Sequence, residues 1–428
     1  MNAGRQRFQT RRARLQLLGG GIVVLAVAIA LGGYLYEQHR TGSVFPHPHA
    51  PFIPQNTQKP SDSAAETFVW PNYGYTKDHL RNFPAPATLR PPFKELWMRS
   101  QGALLEFPPV IYGEHIFQLA DDGVLATIDR KTGNFVWVRK IGALSASTPA
   151  VTSTTVFATL YSRVQGVEAG RVVALDAANG NVRWARDLPS PSESSPLVDS
   201  GKVFFGSQDG TVYALDERTG ATVWTYHAGG SVKASPTLKN GVLYFGDYGG
   251  NLQAVSERTG HLIWRSGSEG ALLGSGTFYS TAAVAYGRVY LGNTDGRIYA
   301  YDQRSGSLDW AVQTGAYVYA SPAVADAPGL GPTIYLGSYD GNFYAINART
   351  GHVDWTYNGH GRISGSATIV GRVVYFADLG TRETTGLDIS SGHAVFHFPH
   401  GSFDPVIADQ HTLYLTGYGE LFALAPAP

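Results

Sequence analysis

The stretch GTVYALDERTGATVWTY (residues 210–226) is written again and again along the chain. It returns as GNLQAVSERTGHLIWRS from residue 250, GRIYAYDQRSGSLDWAV from 296 and GNFYAINARTGHVDWTY from 341. A chain built of such copies has few folds open to it, because one copy cannot bury its apolar faces alone and must stack on its neighbours. Aligned on Gly-x-x-x-Trp, the copies place Trp137, Trp184, Trp224, Trp264, Trp310 and Trp355 in register, with Phe396 in the same place in the next. Successive steps of 47, 40, 40, 46, 45 and 41 residues suit one four-stranded sheet each, the blade of a β-propeller.

One copy shows how. Ser235-Pro236-Thr237-Leu238 opens a strand that Asn240-Gly241 turns, and Val242 to Gly246 alternates as a second strand. Tyr248-Gly249-Gly250 turns the chain into a third strand, and Arg258-Thr259-Gly260 turns it into a fourth ending at Trp264. Short β-favouring runs between Gly-containing turns are hairpin chemistry. In other copies the second turn reads Asp209-Gly210, Asp295-Gly296 and Asp340-Gly341, a strong hairpin signal.

First strands start at or near Pro109, Pro149, Pro196, Pro236, Ala282, Pro322, Ala367 and Pro405, which makes eight. The last copy stops after three strands at Leu424, while Phe93 to Trp97 carries the fourth-strand signature with no strand before it. If residues 93–97 complete the last sheet, the ring closes and its exposed edge disappears. The expected class is all-β: an eight-bladed propeller of four-stranded antiparallel blades, with seven blades as the alternative. A residue present in every copy is a scaffold residue, so the tryptophans are read as blade-to-blade packing.

Residues 15–36 (LQLLGGGIVVLAVAIALGGYLY) carry no charge. As a helix they would reach about 33 Å, enough to cross a hydrocarbon core of about 30 Å. Arg5, Arg7, Arg11, Arg12 and Arg14 precede them without an acid. The net charge of zero therefore hides +5 at residues 1–14 and 0 − 5 = −5 over 37–428. This pattern predicts a single-pass plasma-membrane anchor with a cytoplasmic basic tail (1–14) and an extracytoplasmic remainder. A cleaved export signal, including a twin-arginine one, is the alternative. Residues 37–66, with Pro46, Pro48, Pro51, Pro54 and Pro60, read as a stiff polar spacer, and His47-x-His49 within it as solvated linker. The propeller domain is expected over 67–428. Nothing in the charge points to nucleic acid, and the absence of cysteine excludes disulfides and thiolate chemistry.

The run SSPLVDSGKVFFGSQDGTVYALDERTGATVWTY resembles the repeat of the pyrroloquinoline-quinone (PQQ)-like β-propellers. That superfamily holds quinoprotein alcohol dehydrogenases and BamB-like outer-membrane assembly factor propellers. The resemblance spans about 93–424, and WPNYGYTKDHLRNFP from Trp70 is similar to the tryptophan-initiated segment before the first blade. In the enzymes, the resemblance implies a quinone over a divalent cation at one mouth of the channel, beside a disulfide of adjacent cysteines. This chain has no cysteine, and no acid-rich motif onto which the catalytic base could be carried.

Three positions before each first-strand residue lie Glu106, Ala146, Glu193, Lys233, Tyr279, Tyr319, Ser364 and Ser402, a ring that varies while the scaffold repeats. Such variation marks where a site can be grafted. An ion pair between Glu193 and Lys233 and an aromatic wall of Phe278, Tyr279, Tyr317 and Tyr319 are expected. A quinone carboxylate would need Lys233 or Arg362, and calcium would need Glu106, Glu193 or Asp404. The bland reading, a wet channel whose charges satisfy each other, is preferred. Three departures from the repeat, at 266–281, 161–170 and 326–332, read as projecting loops, with Leu272, Leu273 and Phe278 as protein-contact candidates. The expected function is a monomeric, non-enzymatic, protein-binding scaffold in the cell envelope, with no cofactor. The alternative is a PQQ- and calcium-dependent oxidoreductase.

Overall fold

The computed structural model describes residues 27–29, 31–33, 36, 40–47, 51–55 and 67–428, except 165, 271–275, 402 and 404–405. The expected span 15–36 falls mostly outside these, and Leu272, Leu273, Ser402 and Asp404 fall wholly outside. Among the described residues no helix is long and apolar enough to cross a membrane.

Eight four-stranded antiparallel sheets stand around a central channel. Their innermost strands are Val110–Tyr112, Ala150–Val151, Leu197–Asp199, Thr237–Lys239, Ala283–Ala285, Ala323–Ala327, Thr368–Val370 and Val406–Ala408, and they define blades 1 to 8. Blade 8 takes its outermost strand from the other end of the domain. Phe93–Ser100 pairs antiparallel with Glu420–Pro426, with Trp97 opposite Ala423 and Glu95 opposite Leu424. The closure expected from the sequence is therefore present, and no blade is left a strand short.

The blades are glued by a contact made seven times. Trp97, Trp137, Trp184, Trp224, Trp264, Trp310 and Trp355 each lie on the third-turn glycine of the following blade: Gly133, Gly180, Gly220, Gly260, Gly306, Gly351 and Gly392. Each indole N–H also donates to a carbonyl of that blade, as from Trp184 to Glu217 at 2.9 Å and Trp224 to Glu257 at 3.1 Å. The glycine is required twice over. At Gly260 φ is +70°, and a Cβ would stand 2.6 Å from the Trp224 ring.

The innermost strand of each sheet is an edge with free N–H groups. On one face of the ring residues 67–85 take these up. Backbone carbonyls of Phe68, Pro71, Lys77, Asp78, Leu80, Arg81 and Phe83 accept from Gly113, Val151, Leu238, Val284, Val324, Ile369 and Gly371 at 2.8–3.0 Å. Trp70, His79, Arg81 and Phe83 are buried beneath this span. The segment that leads into the first blade thus plugs one end of the channel and ties six blades together.

A second segment behaves differently from the free spacer expected. Val44–Pro46 adds a fifth, antiparallel strand to the outer edge of blade 5, against Leu308–Gln313. Farther on, Phe52 stacks on Tyr286 with ring centroids 5.0 Å apart. An outer edge strand offers unpaired backbone groups, and the extended Pro-rich chain is already in the conformation that can use them.

Two of the expected projecting loops are not loops. In blade 2, Thr155–Val164 and Val167–Asp176 pair to the tip, so residues 161–170 lengthen a hairpin. In blade 6, Asp326 pairs with Pro332 and Ala327 with Gly331, leaving only a tight turn, on the plugged face.

Candidate functional site: the channel mouth

Opposite the plug, the channel opens between two sets of turns. One set leads into the first strands and carries the varying ring. Glu106, Glu193, Lys233, Tyr279, Tyr319 and Ser364 all line the lumen, with Tyr73 of the plug and Phe403. Ala146 is not part of that lining.

Just below this ring a belt of hydroxyls staples blade to blade. Thr148 N–H donates to Ser195 Oγ (3.0 Å), Ser235 N–H to Thr281 Oγ1 (3.1 Å), Thr281 N–H to Ser321 Oγ (3.0 Å) and Ser321 N–H to Ser366 Oγ (2.9 Å). Tyr73 reaches up from the plug to Ser366 Oγ at 2.8 Å. The Ser or Thr that precedes the first strand of blades 2 to 7, followed by Pro in four of them and by Ala in two, is the sequence trace of this belt, and its role is structural.

The ion pair expected across neighbouring blades is there. Lys233 Nζ stands 2.7 Å from Glu193 Oε1. The same carboxylate accepts from Gln208 Nε2 at 2.6 Å and from the hydroxyl of Tyr161, which sits opposite Gly170 in the lengthened blade 2 hairpin. Lys233 also lies over the Tyr248 ring at 5.1 Å. Three donors thus converge on Oε1 of Glu193, which compensates the mostly buried charge.

Tyr248, Tyr279, Tyr319, Tyr339 and Tyr317 form an arc over blades 4 to 6. Ring centroids are 6.3 Å apart for Tyr248 and Tyr279, 5.6 Å for Tyr279 and Tyr319, 4.9 Å for Tyr319 and Tyr339, and 6.0 Å for Tyr317 and Tyr319. Arg362 closes the arc over Tyr339 at 5.8 Å. Tyr317 is 53% exposed. Burial, followed by the Glu193 charge, holds the Tyr279 and Tyr248 phenols above their ordinary range, and burial raises Tyr319 as well. All three remain neutral hydroxyls at physiological pH. Across the mouth, burial pushes Asp121 up to about 6, against the opposing hydrogen bond from the Glu106 N–H.

Phe278 is not in this wall and is not a protein-contact residue, contrary to expectation. It is fully buried, and a Cβ on Gly246 would come within 2.2 Å of its own Cβ. Val232, Val318 and Ile363 occupy the same place against Gly206, Gly292 and Gly337. Position, not composition, decides: the residue just before each ring position is core. The sequence reading also missed Asp121, Gln208, Tyr248 and Tyr339, which come from the turns between second and third strands. Variation in the residue before the recurrent Asp-Gly was the signal that could have found most of them.

The sequence pattern of the family described as outer membrane protein assembly factor BamB matches residues 93–210, 145–270 and 248–401. The chain belongs to this family. No curated protein matches it in sequence. Among solved structures, BamB from Moraxella catarrhalis is similar at 19% identity and a TM-score of 0.64, covering 78% of this chain and 98% of that one. Quinohemoprotein alcohol dehydrogenase from Comamonas testosteroni is similar at 14% and 0.69, covering 83% and 80%. The computationally designed Ika8 protein is similar at 15% and 0.61, covering 76% and 98%. At these identities each likeness shows the fold alone.

The described residues of the mouth of this BamB-family chain offer a poor fit to the quinone and calcium of the enzymes on this fold. The lumen offers about 60 Å³, room for roughly four to six waters at ~10–15 Å³ each, where ligand pockets run to about 300 Å³ or more. Glu193, the best-placed cation ligand, is held by Lys233, Gln208 and Tyr161. Among the described residues no three His, Asp or Glu side chains gather into a metal site.

Proposed function

We propose that the chain is a non-enzymatic docking module of the cell envelope, anchored in the plasma membrane through residues 15–36, with its propeller outside the cytoplasm. The tyrosine arc is its contact surface for a protein partner. The observation that carries this reading is the contrast within one mouth. Its carboxylate–lysine network is paired within itself, while the aromatic arc beside it runs from the lumen at Tyr279 and Tyr319 out to the exposed ring of Tyr317. Tyrosine and arginine dominate protein contact surfaces because they present large, stiff, amphipathic area at low entropic cost. The family description and the BamB likeness support an envelope-assembly setting.

The test is a photo-reactive residue at position 317, compared with one at Arg304 on the plugged face, in cells making the full chain. A discrete protein adduct at 317 that disappears in a Tyr319→Ala/Tyr339→Ala background supports the reading. Equal adducts at both sites, or none at 317, contradict it.

A further inference from the structure

The strand that residues 44–46 add to blade 5 has a direction, and that direction has a consequence. Leu308–Gln313 ends at the channel mouth, since Thr314 to Tyr319 forms the next mouth turn. The added strand runs antiparallel, so it enters at the mouth side, where Gly42 N–H donates to Gln313 O at 2.7 Å. It leaves toward the plugged face, where Ile53 N–H donates to Tyr286 O at 3.1 Å.

The strap is held at both of its described stretches, 42–47 and 51–53. Phe45 lies under Arg297 at 5.0 Å, and Glu269 bridges Arg297 (2.8 Å) to His47 (3.1 Å). Phe52 stacks on Tyr286 and is capped by Arg349 at 4.1 Å and Arg288 at 5.1 Å. From Tyr36, the last residue of the uncharged run, to Gly42 there are six residues, which reach at most about 20 Å.

We propose that this strap holds the mouth-side corner of blade 5 next to the bilayer, with the plugged face turned away. The inference rests on the membrane-anchor reading above. The tyrosine arc covers blades 4 to 6, so the tethered corner and the contact surface are the same sector of the ring. A partner that docks on the arc is therefore a polypeptide seated in the same membrane. A soluble partner would have to enter the narrow space beneath the propeller.

The chain has no cysteine, which makes single labels clean. The full chain is reconstituted in vesicles carrying a headgroup nitroxide, with a fluorophore on Tyr317→Cys, Ala143→Cys or Arg304→Cys. These positions report the blade 6 mouth side, the mouth beyond blade 1, and the plugged face under blade 5. Quenching at 317 at least threefold above that at 304, with 143 between them, is the expected result. A Phe45→Ala/Phe52→Ala chain should lose that ordering while remaining in the vesicles. Stronger quenching at 304, or an ordering unchanged in the double variant, overturns the strap's role and leaves the anchor standing. Release of the chain from vesicles by alkaline carbonate, without quenching at any site, removes the anchor reading and this inference with it.

Discussion

Gln208 and Tyr161 both donate to the Glu193 carboxylate that Lys233 approaches to 2.7 Å, so Lys233 and Glu193 are joined inside a cluster drawn from blades 2, 3 and 4. Glu193 is 10% exposed and Lys233 22%. Glu193→Ala should cost about 1–3 kcal/mol of unfolding free energy, below the ~3–5 of a fully buried pair because Lys233 keeps part of its hydration. Urea unfolding of both single variants and the double should show the two losses failing to add.

Trp224→Ala should lose about 3–5 kcal/mol, since it opens a cavity between blades and orphans the Glu257 carbonyl. Gly260→Ala should lose about 1–3 kcal/mol through its positive φ and the 2.6 Å approach to the indole. In a Trp224→Ala background the second cost should shrink, leaving the backbone strain alone. Denaturant midpoints of the four chains decide it.

Burial, reinforced by the Arg81 charge, pulls the His79 pKa down to about 3. In the unfolded chain it titrates near 6.5, so between those values the unfolded state holds the extra proton. Stability is then complete above pH 6.5 and falls as pH drops toward 3, by up to about 1.4 kcal/mol per unit from this group. His79→Gln should flatten that limb, whatever it does to stability at pH 7, where loss of the Thr237 contact at 3.0 Å also counts. Thermal melts at half-unit pH steps measure the slope.

Removing residues 420–428 takes away the third strand of blade 8 and leaves Phe93–Ser100 with no strand to pair with. The truncated chain should lose its cooperative transition and self-associate through the opened edges. Size-exclusion profiles and far-UV melts of the two chains report this.

The ring, its count and its closure were legible because they rest on local signals repeated many times: turn glycines, alternating strands and an aromatic at a fixed spacing. The mouth was half legible. The varying ring Glu106, Glu193, Lys233, Tyr279, Tyr319 could be picked out against a constant scaffold. Gln208 carried a signal in its place before Asp209-Gly210, but Tyr161 did not, because its place beside Glu193 depends on how far a hairpin extends and how the blades turn. Phe278 misled because aromatic character was weighed above its repeat position. The plug and the strap were out of reach for a different reason. Residues 67–85, 42–47 and 51–53 have no periodicity, and their conformation is set by partners 41 to 288 residues away.

The claim on which the functional reading turns is that the mouth is closed to the quinone chemistry found elsewhere on this fold. Titration of the full chain with PQQ and calcium, followed by the quinone absorption and by dye-linked alcohol oxidation, tests it most directly. The expected result is no saturable binding and no turnover. One quinone bound per chain with alcohol oxidation, both lost in Lys233→Ala, would contradict it.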